Sequence, residues 1–230
     1  MFKDSRRFLN SGLALALLWS LSSVANAEMV QIAGPNGKKI KVEIHQPPDF
    51  DSAQEYSILI GPGGFYWEDR PSQPGWITVS SGAFWGKNKN RMQESKAVLT
   101  WLREEFKPKN GGFHMAGWSA NSAGIFEIAM TFPGEFLSVS GIAGMPGRKT
   151  TDADLRRLRS VRVQFIVGEK DDYWRQGSER WHAKMQHAGI RSTLEIVPGA
   201  GHVMPEIANE PFFQRLNQLV ESIGREREDR

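Results

Sequence analysis

The chain has 230 residues, no cysteine, and 29 Lys and Arg against 26 Asp and Glu. Disulfides, thiol nucleophiles and thiolate metal sites are excluded, so a fold of this length must rely on its apolar core. Setting aside Lys3, Asp4, Arg6 and Arg7 leaves 26 basic and 25 acidic residues, a balance that gives no basis for binding nucleic acid or a charged membrane surface.

The first stretch reads as a leader. Lys3, Arg6 and Arg7 form a basic start, Leu13 to Val24 is mostly apolar, and Ala25-Asn26-Ala27 supplies the small-x-small pattern of a signal-peptidase site. The apolar run is shorter than the roughly 20 residues that a bilayer span requires. An uncleaved anchor is the competing reading. The expectation is a signal peptide over 1–27 and one domain over 28–230, exported to the periplasm or secreted, with no stable membrane insertion of the mature chain.

From there strand-like and helix-like segments alternate. Lys39 to His45 places Ile40, Val42 and Ile44 on one face, as an antiparallel edge strand does. Tyr56 to Ile60 is a continuous apolar run that leads into Gly61-Pro62-Gly63-Gly64, and Trp76 to Val79 is a second short β-rich piece. Val98, Leu102 and Phe106 recur at helical spacing within Arg91 to Phe106. Phe113 to Gly117 reads as a strand, Ala120 to Thr131 as a helix, Leu137 to Ile142 as a strand and Asp152 to Arg159 as a short charged helix. Val161 to Val167 is a buried strand, followed by helix Arg175 to Ala188, strand Thr193 to Val197 and helix Ile207 to Ile223. This alternation predicts an α/β fold, with a mostly parallel sheet flanked by helices on both faces. About eighteen residues separate Ile142 from Val161, too few for a separate lid domain, so the site is expected to be open.

Three loops at strand ends carry reactive side chains. Phe113 to Gly117 runs through Trp118 into Ser119, and a helix starts directly after it. Strand Val161 to Val167 is followed by Gly168-Glu169-Lys170-Asp171, and Ile196-Val197-Pro198-Gly199-Ala200-Gly201-His202 closes the last strand. Serine, aspartate and histidine in this chain order are what a hydroxyl nucleophile, its base and an orienting carboxylate require. Ser122, in Ala120-Asn121-Ser122-Ala123-Gly124, is a second candidate nucleophile, and Asp172 a second candidate acid. Either serine could instead be a helix cap. His45, His114, His182 and His187 have weaker claims, and no histidine spacing suggests a metal site.

The segment from Gly117 to Gly144, with Pro133 ahead of Phe136-Leu137-Ser138-Val139-Ser140-Gly141, resembles the nucleophile elbow and next strand of α/β-hydrolases. It resembles especially the small secreted esterase, polyhydroxybutyrate-depolymerase and feruloyl-esterase group. The resemblance implies an α/β-hydrolase fold and hydrolysis of a small-molecule or polymer-linked ester without a cofactor. Ser119, Asp171 and His202 would be the catalytic residues. It also implies an oxyanion hole from the backbone N–H groups of Gly64 or Phe65 and of Ala120. Pro62 stands where the family has a histidine. Asn121 stands where it has a glycine, because a side chain there is expected to crowd the turn. Among the loop aromatics, Tyr66, Trp67, Trp118 and Trp174 are expected to line the substrate pocket. A serine peptidase and a non-catalytic binding protein on the same fold are the alternatives; oligomeric state is left open.

Overall fold

Strand side chains alternate between two faces, and here both faces are covered. The computed structural model describes residues 27–61, 73–85 and 89–228. In chain order its strands are β1 (Ala27–Ala33), β2 (Lys39–His45), β3 (Ser57–Ile60), β4 (Trp76–Ser80), β5 (Phe113–Trp118), β6 (Phe136–Ile142), β7 (Arg162–Gly168) and β8 (Ser192–Val197). The α-helices are α1 (Arg91–Glu105), α2 (Ser122–Thr131), α3 (Asp152–Arg156), α4 (Asp172–His187) and α5 (Glu210–Glu228). The strands form one sheet in the order β1-β2-β4-β3-β5-β6-β7-β8. β2 pairs antiparallel with β1 and β4, and every pairing from β4 to β8 is parallel. The expected α/β class, mostly parallel with helices on both faces, is the one observed. Residues 1–27, read from the sequence as a signal peptide, fall outside the described residues apart from Ala27, which opens β1.

Ile58 and Ile60 of β3, Met115 of β5, Val139 of β6 and Phe165 of β7 point to one face. There they meet Val98 and Leu102 of α1, Ile125 and Phe126 of α2, Leu155 of α3 and Met185 of α4. Leu59, Ala116, Ile142 and Ile166 point to the other face, under Phe212, Phe213, Leu216 and Val220 of α5. Helix α5 begins at Glu210, later than the apolar spacing predicts. Asn209, at φ 71°, separates it from a 3-10 turn over Pro205–Ile207. Strand β1 was not evident in the sequence because only Ile32 of its seven residues is buried; its backbone ladder to β2 holds it. The β6–β7 connection carries only α3, started by a capping box in which Thr151 and Asp154 satisfy each other's backbone.

The face under α5 is unusually polar for a sheet interior. His114 of β5 is 1% exposed and bonds through Nδ1 to Ser138 Oγ at 2.7 Å, while Ser140 meets Gln164 at 3.3 Å. Trp76 packs edge-on to His114 and donates from Nε1 to Asn217 Oδ1 of α5 at 2.7 Å. Burial disfavours the charged imidazolium and pushes the pKa of His114 down to about 3. In the unfolded chain the same group titrates near 6.5. Between these values the unfolded state holds the extra proton, so stability contributed by neutral His114 is full above pH 6.5 and is lost as pH falls toward 3. Urea unfolding midpoints measured from pH 7.5 down to 4 should therefore decline. His114→Asn should flatten that decline by up to about 1.4 kcal/mol per pH unit.

Candidate active site

A strand that ends in a serine and continues as a helix must reverse direction within three residues. β5 does this by placing Ser119 in the left-handed region, at φ 55°. Such a backbone costs a residue with a Cβ about 1–3 kcal/mol, so neighbouring contacts must hold it. Ser122 provides them. Its buried hydroxyl donates to the Ser119 carbonyl at 2.5 Å and accepts from the Met145 N–H at 2.9 Å. The bend after β6 can come this close only because residue 144 is glycine: a Cβ there would lie 2.5 Å from Ser122 Oγ. Ser122 thus braces the turn from inside, while half-buried Ser119 faces the cleft. A 3-10 turn over Ser119–Asn121 precedes α2, so the helix begins two residues later than predicted.

Asn121 corrects an expectation. A side chain at this position was expected to crowd the turn, yet Asn121 has ordinary right-handed angles (φ −68°, ψ −23°) and is exposed. Its side chain leaves the turn toward solvent, so the missing glycine does not distort the elbow.

The histidine and aspartate loops are bound to each other before they reach the serine. Lys170 N–H donates to the Ala200 carbonyl at 2.8 Å, and Glu169 N–H to the Val197 carbonyl at 3.0 Å. The Glu169 carboxylate accepts from Gly199 N–H at 2.7 Å. Gly168 permits this approach, since a Cβ there would sit 2.2 Å from the Gly201 carbonyl oxygen. Across the junction His202 Nδ1 lies 2.6 Å from Asp171 Oδ2, and His202 Nε2 lies 2.9 Å from Ser119 Oγ. The Asp171 side chain is 10% exposed and that of His202 is 36% exposed. Asp172, the alternative acid, points outward and pairs with Arg175 at 2.8 Å.

Two indoles flank the imidazole. Trp118 lies 5.3 Å from the His202 ring at 33°, and Trp174 lies 5.9 Å away at 27°. Both were expected to line a substrate pocket; the structure sets both against the histidine, which sequence reasoning did not anticipate. Ala120 is exposed in the first turn after Ser119, where a helix-start N–H lacks an intrahelical acceptor. Gly64, Phe65, Tyr66 and Trp67 lie outside the described residues. Gly61 follows β3, the strand beside β5, and its N–H donates to the Val79 carbonyl at 3.0 Å. The remaining histidines are elsewhere: His45 pairs with Glu43 on β2, and His182 bonds to Ser192. Among the described residues no group of three or more His, Asp and Glu side chains is placed to hold a metal ion, and no helix is long and apolar enough to cross a membrane.

No protein-family model matches the sequence, and no curated protein matches it by sequence. Solved structures are similar in fold. A protein from Bacteroides ovatus ATCC 8483 assigned as a dipeptidyl aminopeptidase IV aligns with TM-score 0.70 and 12% identity over 89% of this chain. This chain spans only 36% of that protein's length. A fungal esterase from Rhizomucor miehei aligns with TM-score 0.64 and 16% identity, over 87% of this chain and 83% of its own. A ferulic acid esterase aligns with TM-score 0.62 and 14% identity, over 87% and 98%. Strand order and these likenesses together define the α/β-hydrolase fold.

The bracing of the elbow is testable through stability. Gly144→Ala should cost about 1–3 kcal/mol in denaturant unfolding, because the new methyl displaces the Ser122 hydroxyl. Ser122→Ala should cost a similar amount by leaving the Met145 N–H unpaired.

Proposed function

We propose that this protein is a serine hydrolase that cleaves carboxylic esters through an acyl-enzyme. The observation that carries the reading is the unbroken relay Ser119–His202–Asp171, with bonds of 2.9 and 2.6 Å and its serine on a left-handed turn. Ser119 Oγ attacks the ester carbonyl as His202 Nε2 takes its proton. Asp171 holds the imidazole with Nδ1–H toward the carboxylate and offsets the imidazolium charge. The faces of Trp118 and Trp174 add favourable electrostatics to that cation, on the order of 0.5–2 kcal/mol each.

The tetrahedral oxyanion is met by the Ala120 N–H, and we assign the second donor to Gly64 or Phe65. His202 then protonates the leaving alcohol, and water repeats the sequence to release the acid. Tyr66 and Trp67 remain our assignment for the substrate pocket. The leader-like residues 1–27 support export, to the periplasm or beyond the cell. A connection between β6 and β7 that carries only α3 fits an open cleft able to take a small ester or one borne on a polymer.

A peptidase would use the same relay. This chain corresponds to about a third of the Bacteroides ovatus protein, and esterases of the same fold match it over most of their own length. A non-catalytic role drew its support from Asn121, which is exposed and leaves the turn undistorted.

A fluorophosphonate probe should label Ser119 in the purified mature protein, and His202→Ala should abolish the label. Ser119→Ala should lower kcat/KM on short-chain esters by at least about four orders of magnitude, and Asp171→Asn by about four. A Ser119→Ala protein that retains full esterase activity would sink the proposal.

A further inference from the structure

Helix α4 starts at the proposed catalytic acid and runs away from the cleft. Along its flank lies a groove of about 480 Å³, lined by Met145, Pro146, Arg148, Thr150, Tyr173, Arg180, Trp181 and Lys184. One of its walls, Tyr173, lies 5.2 Å from Trp174, which in turn lies 5.9 Å from His202. On the opposite wall, Met145 is tied to the serine elbow by its N–H bond to Ser122.

Among the described residues, two of the three cations in this groove have no ion-pair partner. No acid lines it, while three cations do. Arg180 and Lys184 stand one turn apart on α4, where like charges destabilise a helix by a few tenths of a kcal/mol. Lys184 is partly offset by Asp152 at 2.8 Å and lies over the Trp181 ring at 5.0 Å. Among the described residues, the Arg148 side chain donates to the phenol of Tyr173, at 3.3 Å, and to no carboxylate. Two guanidiniums thus line a groove that Trp174 separates from His202, with no carboxylate among its described lining residues.

We propose that this groove is a subsite for an oxyanion carried by the substrate itself, so that the preferred substrates are esters bearing a carboxylate-class group away from the scissile bond. The inference rests on the hydrolase reading and narrows its substrate class. Arg148 and Arg180 supply planar donor forks that match a carboxylate, and Lys184 supplies a point charge. Tyr173 and Trp181 give the groove aromatic walls.

The test uses p-nitrophenyl half-esters of dicarboxylic acids of graded length, each paired with its neutral carboxamide-terminated counterpart. At one range of lengths the charged member should be favoured about tenfold in kcat/KM at low ionic strength, mainly through KM. The preference should shrink in about 0.5 M salt, which screens exposed charges. In Arg148→Gln/Arg180→Gln the ratio of charged to neutral kcat/KM should fall to near one. Arg180→Glu should shift preference toward amine-terminated esters. Equal rates within every pair, or a preference that survives the double substitution, would overturn the subsite while leaving the hydrolase reading intact. If no ester is cleaved and no fluorophosphonate label appears, the hydrolase reading has failed separately. Calorimetric binding of the free dicarboxylates then decides the groove: binding that Arg148→Gln/Arg180→Gln abolishes upholds it, and no binding overturns it.

Discussion

Everything in the cleft depends on holding Ser119 in a backbone conformation that its own side chain disfavours. A left-handed serine is maintained only when several contacts each outweigh part of its strain. Here they converge on one buried hydroxyl, that of Ser122, which spans from the Ser119 carbonyl to the Met145 N–H. The sheet makes this possible. Parallel pairing sets Gly117 opposite Gly141 and Trp118 opposite Ile142, so the bend after β6 arrives beside the bend after β5. Ala143 on that second bend is also left-handed, at φ 41°, and is tied by its N–H to the Ile166 carbonyl at 2.7 Å. Strained residues therefore stand at the ends of two adjacent strands, and the packed core beneath them supplies the compensation.

The second constraint joins the proposed acid and base. β7 and β8 pair in parallel up to Gly168 and Val197. The two loops beyond that point continue the contact through backbone bonds and the Glu169 carboxylate. As a result the Asp171–His202 pair behaves as one rigid part that is offered to the serine, rather than as two independent loops. Preorganisation of this kind keeps the reorganisation needed during reaction small.

Much of this was legible in the sequence, for identifiable reasons. The continuous apolar runs at β3 and β7 read as strands buried on both faces, and Phe113 to Ser119 read as a strand meeting a turn. The order serine, aspartate, histidine, each after a strand, made the relay visible without any distance. Other features depended on neighbours remote in sequence. Ser119 and Ser122 look alike in a string; only the approach of Gly144 shows that one hydroxyl is enclosed and the other faces the cleft. Trp118 and Trp174 could be placed in loops, but not against His202, because that contact needs the register of three strands. His114 gave no sign of its partner Ser138, which lies across a parallel pair. β1 was silent because an edge strand with a single buried side chain has almost no hydrophobic pattern.

Helix α5 supplies the buried helical side chains of one whole face of the sheet, and it follows the histidine in the chain. Asp171 and His202 are 31 positions apart, and His202 and Ser119 are 83 apart. A segment that ends before α5 lacks the apolar cover that would seat β8 and its loop. Under the proposed reading its serine is then an ordinary alcohol, and reactivity waits on the last helix to be made.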